Sequence, residues 1–394
     1  MNLLLRIALP LAALALAACD QPTPARPDPG LPAAPAAPAA PAVSAAPASS
    51  AAAPTSASAT PAGSAAATGA AGRRVALETK AMGTHILLAT YTTATLDEHA
   101  LRPKLEKALA EIRRLESLMT TWRPDSEISR VNQGAGKAAV EVSPESLEVI
   151  DKSLWISKLS GGVFDITFEA MHGLWKFDED LEDNVPDRAA VDKARRLIDY
   201  RQIKVDPAKR TVMLAKPGMR MSLGGIAKGF TVDAAARVLR QEGLASFYVQ
   251  AGGDLYVAGT KPDGSRYRVG VRDPRGKHPA DFFAMIEVED HSFSTAGDYE
   301  RSFFKDGKRY HHIIDPRTGF PATASRSVTV WARDALTADA IDDAVFILGP
   351  EKGLALAESI EGCGVVIVDR DNKVWISKRL EGKVQKLREP TGGI

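Results

Sequence analysis

Residues 20–72 hold no aromatic residue and consist almost wholly of Ala, Pro, Ser, Thr and Gly. Such a stretch buries too little apolar surface to offset its ordering entropy. It is expected to be a disordered tether with extended proline-rich runs. What can fold is therefore confined to residues 73–394, a length that suits one large domain or two closely joined ones. Extended as polyproline II at about 3.1 Å per residue, the tether reaches up to roughly 160 Å.

The segment ahead of the tether reads as an export signal. Arg6 is its only charge, Ile7 to Ala18 is mostly apolar, and Leu16-Ala17-Ala18-Cys19 has the small-residue pattern of a cleavage site. The apolar run is short for a membrane span. A cysteine directly after Leu-Ala-Ala resembles a bacterial lipoprotein signal, with Cys19 as the lipidated residue; an ordinary signal peptide is the alternative. On the lipoprotein resemblance, Asp20 implies retention at the inner membrane, on its periplasmic side. Cys363 is the one other cysteine, so the body has no internal disulfide or Cys-x-x-Cys available. A net charge of +1 without a long basic run argues against nucleic acid as a partner.

Along the body, Val75 to Tyr91 reads as strand. Leu101, Leu105, Ala108, Ile112, Leu115 and Met119 recur at helical spacing. Ser143-Pro144 opens a helix that runs to about Leu159 and ends at Gly161-Gly162. Gln202 to Ala215 reads as a hairpin, Gly229 to Gln241 as a helix, and Phe247 to Phe304 as several strands. Asp306-Gly307 is a hairpin turn before Tyr310 to Ile314, where alternation puts Tyr310, His312 and Ile314 on one face and His311 and Ile313 on the other. Helices follow at Thr337 to Leu348 and Glu351 to Ser359. Helices and strands mix without βαβ regularity, which predicts an α+β body with largely antiparallel sheets flanked by helices.

Three pieces carry chemistry. Leu223-Gly224-Gly225-Ile226-Ala227-Lys228-Gly229 joins a strand to a helix; it is either a plain turn or an anion cradle built from close backbone, a helix N-terminus and Lys228. Asp339, Asp342 and Asp343, at i, i+3 and i+4, share a helical face. They are either water-facing acids that complement the helix dipole or ligands of a hard cation such as Mg²⁺. His312 is either a general base near its ordinary pKa of about 6.5 or a hydrogen-bonded strand histidine. Opposite facing argues against joint metal ligation by His311 and His312.

Taken in order, Met82-Gly83-Thr84, Phe164-Asp165-Ile166-Thr167, Leu223 to Gly229, Ala251-Gly252-Gly253-Asp254, Ser294 to Glu300, Tyr310 to Gly319 and Thr337-Ala338-Asp339-Ala340 resemble the FAD:protein FMN transferases, the ApbE-type flavin transferases. The resemblance runs from about Lys80 to about Ser359. It implies a single T-fold-like body over 73–394, behind a signal peptide at 1–18 and a lipidated Cys19 with its linker at 19–72. It also implies Mg²⁺-dependent transfer of FMN from FAD to a Thr or Ser hydroxyl of a partner protein, with release of AMP. The partners implied are flavin-carrying subunits of membrane redox complexes of the Nqr and Rnf type. On this resemblance the flavin substrate meets Met82, Trp122, Val163, Phe164, Asp165, Ser222, Lys228 and the backbone near Ile314. The metal ligands are the Gly225 carbonyl, Asp339, Asp342 and Asp343, and the base is His312. Two positions depart from the family's pattern: Ser222 stands where Asp is common, and Asp343 where Thr is usual. The extra carboxylate predicts tighter metal binding or a second Mg²⁺.

Overall fold

The computed structural model describes residues 72–177 and 183–393, so the signal segment, Cys19 and the tether through residue 71 lie outside the described residues. Val75 to Tyr91, expected as one strand, is a hairpin of Arg74–Ala81 and Thr84–Tyr91, with Ala81 paired to Thr84. Met82 and Gly83 form its two-residue turn at φ of 53° and 66°. That is the left-handed pair a type I′ turn needs, written here without the usual Asn-Gly. The Met82 N–H donates to Glu116 Oε1 at 2.5 Å and its sulfur lies 3.2 Å from the Thr231 hydroxyl, which hold a non-glycine residue in this conformation.

The hairpin opens an eight-stranded sheet. Its spatial order is Arg74–Ala81, Thr84–Tyr91, Phe247–Ala251, Asp254–Ala258, His291–Gly297, Ser325–Ala332, Gly364–Asp369 and Val374–Ile376. All neighbours in it are antiparallel, as the α+β reading requires. The helices are α1 (Glu98–Met119), α2 (Glu127–Gln133), α3 (Pro144–Leu159), α4 (Arg188–Arg195), α5 (Ala227–Gln241) and α6 (Ala335–Glu358). The sequence pattern does not reveal α2 and α4, which are too short to display a helical period.

Strand alternation gives the sheet two apolar faces. On one, Ile86, Leu88, Phe247 and Val249 pack on the buried stripes of α1 and α5, and Val328, Val330, Val365 and Ile367 pack on α6. On the other, Tyr248, Leu255, Phe293 and Val366 meet Tyr267–Arg272 and Phe282–Val288 of a smaller sheet. Each fully buried Leu, Ile or Phe here contributes about 2 kcal/mol. Among the described residues no helix is long and apolar enough to cross a membrane.

Local chemistry fixes the two helices that matter most. Helix α6 begins two residues before the expected Thr337, because Asp334 accepts from the Thr337 N–H at 2.7 Å and Asp233 of α5 accepts from Ala335 and Leu336 at 2.8 Å each. Its expected division in two is a break at Gly349, where φ is 75° and ψ is −175°. Helices α5 and α6 touch backbone to backbone at Gly229, where a Cβ would lie 2.2 Å from the Ala335 carbonyl oxygen. Gly229→Ala is therefore expected to lower the unfolding free energy by about 3 kcal/mol, through overpacking that neither helix can relieve. A denaturant midpoint equal to that of the parent chain would refute this crossing.

The strand expected through Tyr310 to Ile314 is interrupted. Lys308–His311 pairs with Ser302–Lys305, whereas Ile314–Asp315 pairs with Phe320–Pro321 in a separate ribbon. His312 and Ile313 lie between the two, yet the expected alternation persists: Tyr310, His312 and Ile314 are half-buried, and His311 and Ile313 are buried.

Candidate active site

Asp339 and Asp342 are 2% and 5% exposed, which removes the reading of α6 as a water-facing acidic helix. They turn inward toward Asp254, 1% exposed, at the start of its strand. Oxygens of Asp254, Asp339 and Asp342 lie within 4.8 Å of one another. Buried like charges persist only with counter-charge and hydrogen bonds. Lys228 Nζ supplies part of it, 3.0 Å from Asp254 Oδ2 and 3.1 Å from Asp339 Oδ1. The Ser294 hydroxyl lies 2.6 Å from both Asp254 Oδ1 and Asp342 Oδ2, and the Gly229 N–H donates to Asp339 Oδ2 at 2.7 Å. Asp342 Oδ1 accepts from the Asp343 N–H at 2.5 Å.

One lysine faces four carboxylates, and the imbalance shows in their proton affinities. Burial, reinforced by Asp343, Asp339 and Asp254, pushes Asp342 well above the usual carboxylate range. Burial outweighs Lys228 at Asp343 and lifts it to about 7, and burial with Asp339 lifts Asp254 to about 6. Burial alone would lower Lys228, but Asp254, Asp339 and Asp342 more than restore it and keep the ammonium charged. A carboxylate raised in the fold favours folding while it is protonated, so this contribution disappears as pH climbs from its unfolded to its folded pKa. In metal-free protein, the stability of Asp343→Asn relative to the parent is therefore expected to grow between about pH 4, the unfolded value, and about 7, the folded one. Denaturant midpoints across that window test it, and a flat difference would refute it.

The glycine loop closes on the same place. A Cβ added to Gly225 would sit 3.2 Å from Asp343 Oδ2 and 3.6 Å from the Phe164 ring, so the loop backbone lies close against both. Helix α5 then starts with no side-chain cap and no acid in its own first turn, and its positive end faces the Asp339 carboxylate, which accepts from the Gly229 N–H. Ser222 supports the loop, its N–H donating to the Ile166 carbonyl at 2.9 Å and its Oγ accepting from the Gly224 N–H at 3.2 Å. Val163 and Phe164 are buried. The Asp165 carboxylate faces inward, accepting from Thr167 N and Oγ1 at 2.8 and 2.6 Å and from Tyr200 N at 2.8 Å, so it holds the turn that carries Phe164.

His312 is half-buried, and its N–H donates to the Arg301 carbonyl at 3.1 Å. Its Nδ1 is buried without a hydrogen-bond partner. Burial, with the nearby cations of Arg301 and Lys228 and with His311, pushes its pKa well below 6.5, so the ring is neutral at pH 7. His311 differs: it is 4% exposed and its Nε2 lies 2.8 Å from the Ala322 carbonyl, a structural contact. Ile314 is half-buried beside Pro321, and Asp315 ties the following turn through Arg317. Met82 bonds to Glu116 near the end of α1, and Trp122, 73% exposed, follows that end. The roles of Asp254 and Ser294 are not legible in the sequence, where each is one member of a motif; the Gly-Gly ahead of Asp254 was the available signal.

The profile of the ApbE family matches residues 82–367. An FAD:protein FMN transferase of Treponema pallidum is 36% identical over 72% of this chain and 82% of its own length. One of Klebsiella pneumoniae is 31% identical over 78% and 88%. Among solved structures, the ApbE protein of Thermotoga maritima shares 30% identity at a TM-score of 0.71, over 79% of this chain and 99% of that one. The flavin transferase ApbE of Vibrio cholerae shares 27% at 0.69, over 80% and 100%. The chain belongs to the ApbE family.

Proposed function

We propose that this protein transfers FMN from FAD to a Thr or Ser hydroxyl of a partner protein and releases AMP. The observation that carries the chemistry is the convergence of the buried Asp254, Asp339 and Asp342 with Lys228, with the glycine loop ahead of α5 set against α6 at Asp343. His312, held neutral by burial and nearby cations, is the base in this reading. In the reaction the acceptor oxygen attacks the FMN-side phosphorus, and the bond from that phosphorus to the bridging oxygen breaks. AMP leaves with the bridging oxygen, and His312 takes the hydroxyl proton. Lys228 and the first turn of α5 face the pyrophosphate, and the loop fixes its approach.

The residues fit a divalent cation. Oxygens of Asp254, Asp339 and Asp342 converge and these three are buried with too little counter-charge, while half-buried Asp343 lies outside that cluster, beside the Gly225 backbone. Asp339, Asp342, Asp343 and the Gly225 carbonyl would hold Mg²⁺, which prefers oxygen ligands and shares them with phosphate. When bound, it supplies neutralisation of the charge that develops on the phosphates. Asp343 supports tighter binding than a Thr there would give.

We further read the chain as exported and lipidated at Cys19, with the body tethered to the periplasmic face of the inner membrane. Flavin-carrying subunits of Nqr- or Rnf-type complexes are then the acceptors within reach. Product analysis of FAD incubated with the full chain and Mg²⁺ tests the reaction. AMP released in proportion to added acceptor supports transfer. Free FMN without acceptor dependence means hydrolysis, and intact FAD means binding alone.

A further inference from the structure

We propose that Asp254 and Ser294 are positioning residues that lock the lysine of α5 and the aspartates of α6 to the central sheet. The proposal rests on the cation site described above. Neither residue lies on a helix. Phe293 pairs with Leu255 across neighbouring strands, and that register sets Ser294 beside Asp254. Both are 1% exposed. The Gly-Gly of the motif permits the approach: a Cβ on Gly253 would lie 2.7 Å from the Thr295 carbonyl oxygen.

The contacts form one line from helix to sheet to helix. Lys228 Nζ meets Asp254 Oδ2 at 3.0 Å, Asp254 Oδ1 meets the Ser294 hydroxyl at 2.6 Å, and that hydroxyl meets Asp342 Oδ2 at 2.6 Å. Two consequences follow from the geometry. Lys228 is shared between Asp254 and Asp339, so a cation can take Asp339 while Asp254 keeps the ammonium in place. Without Asp254, Lys228 has Asp339 as its remaining close carboxylate and competes with the cation for it. Ser294 fixes the rotation of Asp342, leaving the second lone pairs of its oxygens for a metal.

Loss of a partner that orients a metal ligand costs 10- to 100-fold in metal affinity in typical cases. Calorimetric titration of the chelator-treated full chain with Mg²⁺ is the test, alongside kinetics with FAD and acceptor. Ser294→Ala is expected to weaken Mg²⁺ binding by about tenfold or more, with the KM for FAD at saturating Mg²⁺ moved by less than about threefold; Ser294→Thr, which keeps the hydroxyl, restores most of it. Asp254→Asn is expected to weaken Mg²⁺ binding by a similar factor and to raise the KM for FAD as well. Because the two share one hydrogen bond, the double variant is expected to lie within about threefold of the worse single one, far from the product of the two losses. If Ser294→Ala is unstable, Ser294→Cys keeps the volume with a weak donor and is read the same way. Parental Mg²⁺ affinity in the serine variant, or losses that multiply, overturn the proposal. A parent chain that binds no Mg²⁺ overturns the site itself and this proposal with it, whereas a parent that binds and transfers FMN beside an unaffected Ser294→Ala overturns this proposal alone.

Discussion

Asp339→Asn is expected to reduce FMN transfer by about a thousandfold or more and to abolish Mg²⁺ binding at millimolar concentrations. Asp339 does three things at once. It accepts from the Gly229 N–H at 2.7 Å, pairs with Lys228 at 3.1 Å, and contributes an oxygen to the carboxylate cluster. An asparagine keeps the shape and one acceptor for Gly229, so the contact of α5 with α6 persists and the loss falls on charge. A catalytic cation is worth several kcal/mol of transition-state charge stabilisation, and each 1.36 kcal/mol or so is tenfold in rate. The same change removes a like charge from beside Asp342 and Asp254, so metal-free Asp339→Asn should be at least as stable as the parent. A variant that unfolds more readily and still binds Mg²⁺ would show that Asp339 is a structural acid.

His312→Ala is expected to slow transfer by 10²- to 10⁴-fold, the usual range for removal of a positioned general base, while Mg²⁺ and FAD affinities move by less than about threefold. The ring makes this an unusually clean test. Its Nδ1 is buried without a partner, so truncation removes an unsatisfied polar atom instead of creating one. Because burial and nearby cations hold its pKa well below 6.5, the ring is already neutral across the physiological range. At saturating Mg²⁺ the acid limb of kcat should therefore lie below pH 6.5. A limb at or above that value in the parent chain, or full activity in the variant, would remove His312 from the mechanism.

The sequence disclosed the parts of this protein whose signals are local. Ser143-Pro144 and Gly161-Gly162 bound α3 as expected, since a cap, a proline at the first helical position and left-handed glycines each act within a few residues. Asp306-Gly307 turns the hairpin before His311 for the same reason. Met82-Gly83 makes the same kind of turn but carries no turn-forming side chain, so its pattern reads as the middle of a strand. The facing of His312 is legible too: although the chain changes partners after His311, Tyr310, His312 and Ile314 stay half-buried while His311 and Ile313 are buried. The three aspartates of α6 were visible by spacing, yet only tertiary burial separates a cation site from a solvated acidic face. Asp254 and Ser294 join them through strand register, a contact across 40 residues that no local pattern encodes.

The most direct measurement is the intact mass of an exported acceptor protein after incubation with the full chain and FAD. With Mg²⁺ present, the account predicts that the acceptor gains the mass of FMN less one water, with one AMP released per flavin attached. Chelation of the metal, Asp339→Asn and His312→Ala should each suppress that gain. FAD consumed without any change in acceptor mass, or a full gain in the presence of chelator, would contradict it.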